Sequence, residues 1–337
     1  MLGAYSDTWA HHHLRLTSIV TPFHAVVFGG LGCGALFMAW ALLRLAATPR
    51  AWRQAIPRGY TLTVAGYILA VVAGPLDLTW HYFLGIDQGF GSVTSPTHML
   101  IGIGVTMLVT GPLLSAWSGG SRHPGWPALL SATLAMAMLL FFDEATHPFL
   151  APWASPVYPR LMMPDAAEQI GTIEIVMWAT IVSGCILPLV LRFKLPFGAL
   201  TMVLGATGVL TTLIVAPQPL MVVGLVGGLL GEELLGGLRP SRQRALQLRL
   251  FAFLLPALLT AVYFALLASA GGIWWPVTVW SGCIAASGIA GLLVSMLLVP
   301  AAASRAPGPG ADSVQVATYL APSVAANVRW AGVKPLS

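Results

Sequence analysis

Long apolar runs are the feature that most constrains this chain. Stretches close to the roughly 20 residues that cross a hydrocarbon layer lie at 19–46, 60–84, 97–118, 126–147, 168–192, 197–216, 218–237, 249–271 and 276–301. Lipid offers no partner to backbone N–H and C=O groups, and these runs are too uniformly apolar for the alternating strands of a barrel. Each is therefore predicted to be a helix. The expected fold is all-α, a polytopic membrane helix bundle of about nine transmembrane helices. Composition agrees: 57% of residues are hydrophobic and 8% charged, far below the roughly 25% charged residues of a soluble domain.

The basic residues give the bundle a direction. If the N-terminus lies outside, Arg44, Arg50, Arg53 and Arg58 after the first run fall on the cytoplasmic side. So do Arg122 after the third, Arg192 and Lys194 after the fifth, and Arg239, Arg242, Arg244 and Arg249 after the seventh. A cytoplasmic C-terminus adds Arg305, Arg329 and Lys334, leaving only Arg15 and Arg160 outside among the 16 lysines and arginines. This is the positive-inside bias, and it accounts for the net charge of +5 without a nucleic-acid partner. The expected setting is a bacterial inner membrane, with the lipid bilayer as the main partner.

Three segments follow. Residues 1–18 are an N-terminal, histidine-containing periplasmic segment, too polar for a cleavable signal peptide. Residues 19–302 form the helix bundle. Residues 303–337 are a flexible cytoplasmic tail, opening on Ser304-Arg305-Ala306-Pro307-Gly308-Pro309-Gly310. Cys33, Cys185 and Cys283 sit in different apolar runs and suit packing better than a disulfide framework or a redox site.

A repeated motif carries the chemistry. Asp7-Thr-Trp-Ala-His11 is followed by Thr21-Pro22-Phe23-His24, and Asp77-Leu-Thr-Trp-His81 by Ser95-Pro96-Thr97-His98. Asp and His four apart project from one helix face, and the later histidine opens the next helix. Each copy thus offers one carboxylate and two imidazoles, a ligand mixture that suits copper, zinc or iron, with copper and zinc favoured by imidazole. The bland reading is a hydrated helix end with an Asp–His hydrogen bond. Repetition favours metal, because ionisable groups in or near a membrane are costly and usually functional. In the first copy, His12 and His13 could take the place of His11.

A partial third copy, Asp143-Glu144-Ala145-Thr146-His147, closes the fourth run. His147 is a further metal-ligand candidate, and Asp143 a candidate for proton handling. Glu174 lies about two turns inside the fifth run, where a carboxylate is expensive unless protonated or paired. It too is a candidate for moving protons. Glu232 and Glu233 are expected to pair with the arginines at 239–249.

The motif Asp77, Trp80, His81, Ser95-Pro96 and His98 resembles the copper-binding C subunit of the particulate methane and ammonia monooxygenases. It is also similar to uncharacterised bacterial multi-span proteins with a Trp-His and Ser-Pro-x-His signature. The resemblance covers about 25 residues per copy. The gap between the histidines has the family-like 12 residues in the first copy and a longer 16 in the second. It implies a copper-dependent monooxygenase-like subunit oxidising a small apolar substrate, with partner membrane subunits and an electron donor. Two other functions fit the residues: metal transport or copper delivery along a polar path reaching Glu232 and Glu233, and a haem-binding subunit with histidines as axial ligands.

Overall fold

A computed structural model describes residues 2–14, 21–45, 56–85, 94–144, 147–158, 163–214 and 219–300. Arg15, Arg50, Arg53, Arg160, the glycine-rich loop before Thr94 and the tail from 303 lie outside the described residues. The architecture is all-helical, with no strand among the described residues beyond an isolated bridge between Ser241 and Arg244. Among the described residues eleven helices run in order: α1 (Leu2–His13), α2 (Pro22–Leu45), α3 (Thr61–Leu84), α4 (Pro96–Val109), α5 (Gly111–Ser118), α6 (Trp126–Phe142), α7 (Pro164–Arg192), α8 (Ala199–Thr212), α9 (Met221–Leu238), α10 (Ala245–Ala270) and α11 (Val277–Leu298).

Every apolar run contains a helix, but their lengths differ. Six helices, α2, α3, α7, α9, α10 and α11, are long and apolar enough to cross a membrane. The third run breaks into α4 and α5, bent by 41°, and counts as a seventh if the pair is one span. The break falls at Thr110-Gly111-Pro112, where proline removes a backbone donor and crowds the preceding turn. Helices α6 and α8 are apolar but only 17 and 14 residues long.

The main core lies in the second half of the chain. Trp178, Val182 and Ile186 of α7 pack with Leu200 and Val203 of α8 and with Phe251, Leu255 and Leu259 of α10. On the other side α2 leaves Leu36 and Phe37 exposed, as a lipid-facing helix does.

Two close approaches place the motif residues. A Cβ on Gly66 of α3 would lie 2.6 Å from the carbonyl oxygen of Gly104 and from the nitrogen of Leu108, both on α4. Only glycine allows those backbones to approach so closely, and the contact holds the first turns of α3 against the last turns of α4, at the opposite end of the pair from Asp77 and His98. In the first copy Gly3 of α1 sits similarly, its virtual Cβ 3.1 Å from the nitrogen of Val27 on α2. The Tyr5 hydroxyl donates to the Ala137 carbonyl at 2.8 Å, which ties α1 to α6.

Candidate metal centre

The Ser/Thr-Pro-x-His element is a helix start. Ser95 is the N-cap of α4 and Pro96 its first residue; the Ser95 hydroxyl accepts from the His98 backbone N–H at 3.5 Å. Thr21 holds the first turn of α2 in the same way, accepting from His24 N–H at 3.1 Å. Proline is favoured just inside a helix and a hydroxyl just before it, so the motif spacing is that of a cap reaching its third helical residue. The same hydroxyls engage the rings: Nδ1 of His98 is 2.7 Å from Ser95 Oγ, and Nδ1 of His24 is 2.8 Å from Thr21 Oγ1.

The Asp-x-x-x-His element is a helix face, as its spacing predicts. Asp77 and His81 are both buried at the end of α3, with His81 Nε2 3.6 Å from Asp77 Oδ2. Asp77 Oδ1 accepts from the Thr97 hydroxyl at 2.6 Å and lies 3.6 Å from His98 Nδ1. Gly85 ends the helix with φ of 87°, a conformation glycine adopts at no steric cost, and its carbonyl oxygen lies 2.9 Å from His81 Nδ1. If Nδ1 donates that hydrogen bond, the Nε2 lone pair faces Asp77, the orientation that a carbonyl bonded to the other ring nitrogen imposes on metal-binding histidines. Asp77, His81 and His98 each present one ligand atom, all within 4.8 Å of one another.

The first copy builds a second group of the same kind from Asp7, His11 and His24. His11 Nε2 is 3.8 Å from Asp7 Oδ2, and His24 Nδ1 is 3.4 Å from Asp7 Oδ1. Among the described residues, both ring nitrogens of His11 and Oδ1 of Asp7 are buried without a hydrogen-bond partner. Buried polar atoms are nearly always satisfied, so these atoms fit the coordination of a cation. Burial, and then the charges of His24, His98 and His81, lower His11 to a pKa of about 4. The imidazole is thus neutral near pH 7, as a ligand must be.

The neighbouring histidines do not compete. His12 Nε2 pairs with the Glu144 carboxylate, and His13 stacks on Trp9 with ring centroids 4.8 Å apart. The reading that either could replace His11 is therefore corrected: α1 turns the three rings in different directions.

Both groups contribute to one cavity of about 80 Å³, lined by Asp7, His11 and His24 of the first and by Asp77 and His98, though not His81, of the second. Apart from Thr8 its remaining walls are apolar and include Phe28, Ile101, Phe141, Phe142 and the thioether-bearing Met138. Met138 and Thr97 carry no motif signature, although Thr97 occupies the variable position of Ser-Pro-x-His.

The other candidates lie elsewhere. His147 belongs to neither group. It is buried against Phe149 and Trp178, and its Nδ1 accepts from Phe149 N–H at 3.2 Å. Asp143 and Glu174 are both buried and close enough to feel each other's charge, with the Trp153 indole nearby. Glu174 is absent from the lining of the metal-type cavity, and its oxygens have no hydrogen-bond partner of good geometry among the described residues. Glu232 departs from its expected pairing with arginine. It is buried, and its carboxylate accepts from Leu200 N–H at 2.7 Å and Thr201 N–H at 3.3 Å, capping the first turn of α8. A helix N-terminus attracts a carboxylate, and this partner lies too far away in sequence for any local signal.

No protein-family model, no curated protein and no solved structure matches the chain.

Proposed function

We propose that this is a membrane metalloprotein in which two Asp-His-His groups, one from each copy of a duplicated helix-hairpin motif, hold two copper ions beside one small cavity. The observation that carries the reading is the convergence of both groups on that cavity. Imidazoles with a nearby thioether suit copper better than the oxygen-preferring cations, and zinc or iron is the alternative load. In this reading all nine apolar runs lie in a bacterial inner membrane with the N-terminus outside, which places the centre at the periplasmic ends of α1 to α4.

When bound, copper supplies redox chemistry. The chain supplies the ligands, the capping hydroxyls that orient them and an apolar wall that excludes water. The cavity suits a small apolar molecule arriving through lipid, in keeping with a monooxygenase-like subunit, and such oxidation calls for an electron donor on a partner. Asp143 and Glu174 are the carboxyls available to handle protons.

Copper transport loses its main support because Glu232 caps α8 instead of opening a polar path. Haem is disfavoured by space: about 80 Å³ is far below the several hundred Å³ of a typical cofactor pocket. Metal analysis of the purified protein beside His81→Ala and His98→Ala tests the proposal. Loss of part of the copper from each folded variant supports it; an unchanged load in both overturns it.

A further inference from the structure

A second cavity, of about 680 Å³, lies where α7 and α9 end. Five cationic residues line it, Arg122, Arg192, Lys194, Arg239 and Arg242, and no carboxylate does. Among the described residues every carboxylate–base pair within 4 Å involves histidine, so no acid neutralises these cations. Arg192 has a structural task, donating to the carbonyl of Trp117 in the last turn of α5 and to those of Gly119 and Ser121 just beyond it. The other four have no such task of comparable extent.

Positive-inside loops alone call for basic residues on one side of the membrane, with no requirement that they surround a cavity. Arg239 adds an independent sign. It is the only non-glycine among the described residues with positive φ, at 48°, and it occupies the C-cap of α9. That left-handed position normally takes glycine, and Gly236 and Gly237 stand just before it. An arginine kept in a conformation costly for L-residues points to a use for its side chain.

We propose that this cavity binds the phosphate headgroup of an anionic phospholipid. Guanidinium and ammonium groups recognise phosphate oxygens through charge-assisted hydrogen bonds, and basic pockets between membrane helices are suited to such headgroups. The cavity lies where two apolar, membrane-length helices finish, and Val190, Leu191 and Leu235 give it an apolar wall for the lipid's glycerol and upper acyl carbons. A free phosphate shares the charge but makes no use of that wall.

The test is native mass spectrometry and thermal unfolding of the full chain in neutral detergent at low salt, with phosphatidylglycerol, phosphatidylcholine or inorganic phosphate added. Phosphatidylglycerol is expected to remain bound and raise Tm more than phosphatidylcholine. Arg239→Gly, which relieves the backbone, should keep or raise the lipid-free Tm while losing most of the lipid effect, and Arg242→Ala should also weaken it. Arg244→Ala, outside the cavity, should retain it. Equal effects of the two lipids, or a full lipid response in both Arg239→Gly and Arg242→Ala, would overturn the proposal. Equal protection by inorganic phosphate would overturn the lipid assignment.

Discussion

Asp7 and Asp77, equivalent residues of two copies of one motif, line the same cavity. Burial, with the negative charge of Asp77 added, raises the Asp7 carboxyl to about 6. Two carboxylates sharing a desolvated space repel strongly. His11 offers little relief, because burial and the surrounding histidines oppose its protonation. A metal cation on each group, as proposed, would supply the positive charge this arrangement lacks.

Ser95 tests the link between helix capping and ligand placement. Ser95→Ala removes the acceptor for His98 N–H and the hydroxyl beside His98 Nδ1. A lost cap costs about 1 kcal/mol, and lost outer-shell partners weaken metal binding by about 10–100-fold. Copper titration should show that loss in one of two sites, while Ser95→Thr, which reproduces the Thr21 arrangement, restores it.

Gly66 tests the contact between α3 and α4, about three helical turns from the second group. Because the obstruction in Gly66→Ala is backbone, α3 and α4 must separate. Overpacking of this kind costs about 1–3 kcal/mol. Unfolding in detergent should show a lower Tm, and metal analysis a loss confined to the Asp77 group. Gly236→Ala, where a Cβ meets nothing within 4 Å, is the comparison.

His147 tests the packing just beyond α6. Its ring is buried against Phe149 and Trp178, and its Nδ1 accepts from Phe149 N–H at 3.2 Å. His147→Ala should cost on the order of 2 kcal/mol through the lost packing and lower Tm in detergent, while the copper load stays unchanged because His147 belongs to neither metal group. A lost copper ion in the folded variant would contradict the assignment.

Much of this centre is legible in the sequence because its spacings are local geometry. Asp-x-x-x-His is one helical turn, and Ser-Pro-x-His is an N-cap, a first residue and the third residue it reaches. The shared cavity is not legible, since it depends on α1 packing against α2 and α6 through Gly3, Tyr5 and His12. Helix α1 itself is short and polar, and its partner Glu144 is remote in sequence. The apolar runs located the helices, but hydropathy alone did not distinguish six full-length spans from the shorter α6 and α8 or the break at Pro112.

Counting metal ions per chain tests the central claim most directly. The full-length protein, purified and loaded with copper, should hold two ions; His11→Ala and His81→Ala should each hold one, and the double variant none, with helical content unchanged throughout. A wild-type load of one ion that survives either single substitution would contradict two independent metal groups facing one cavity.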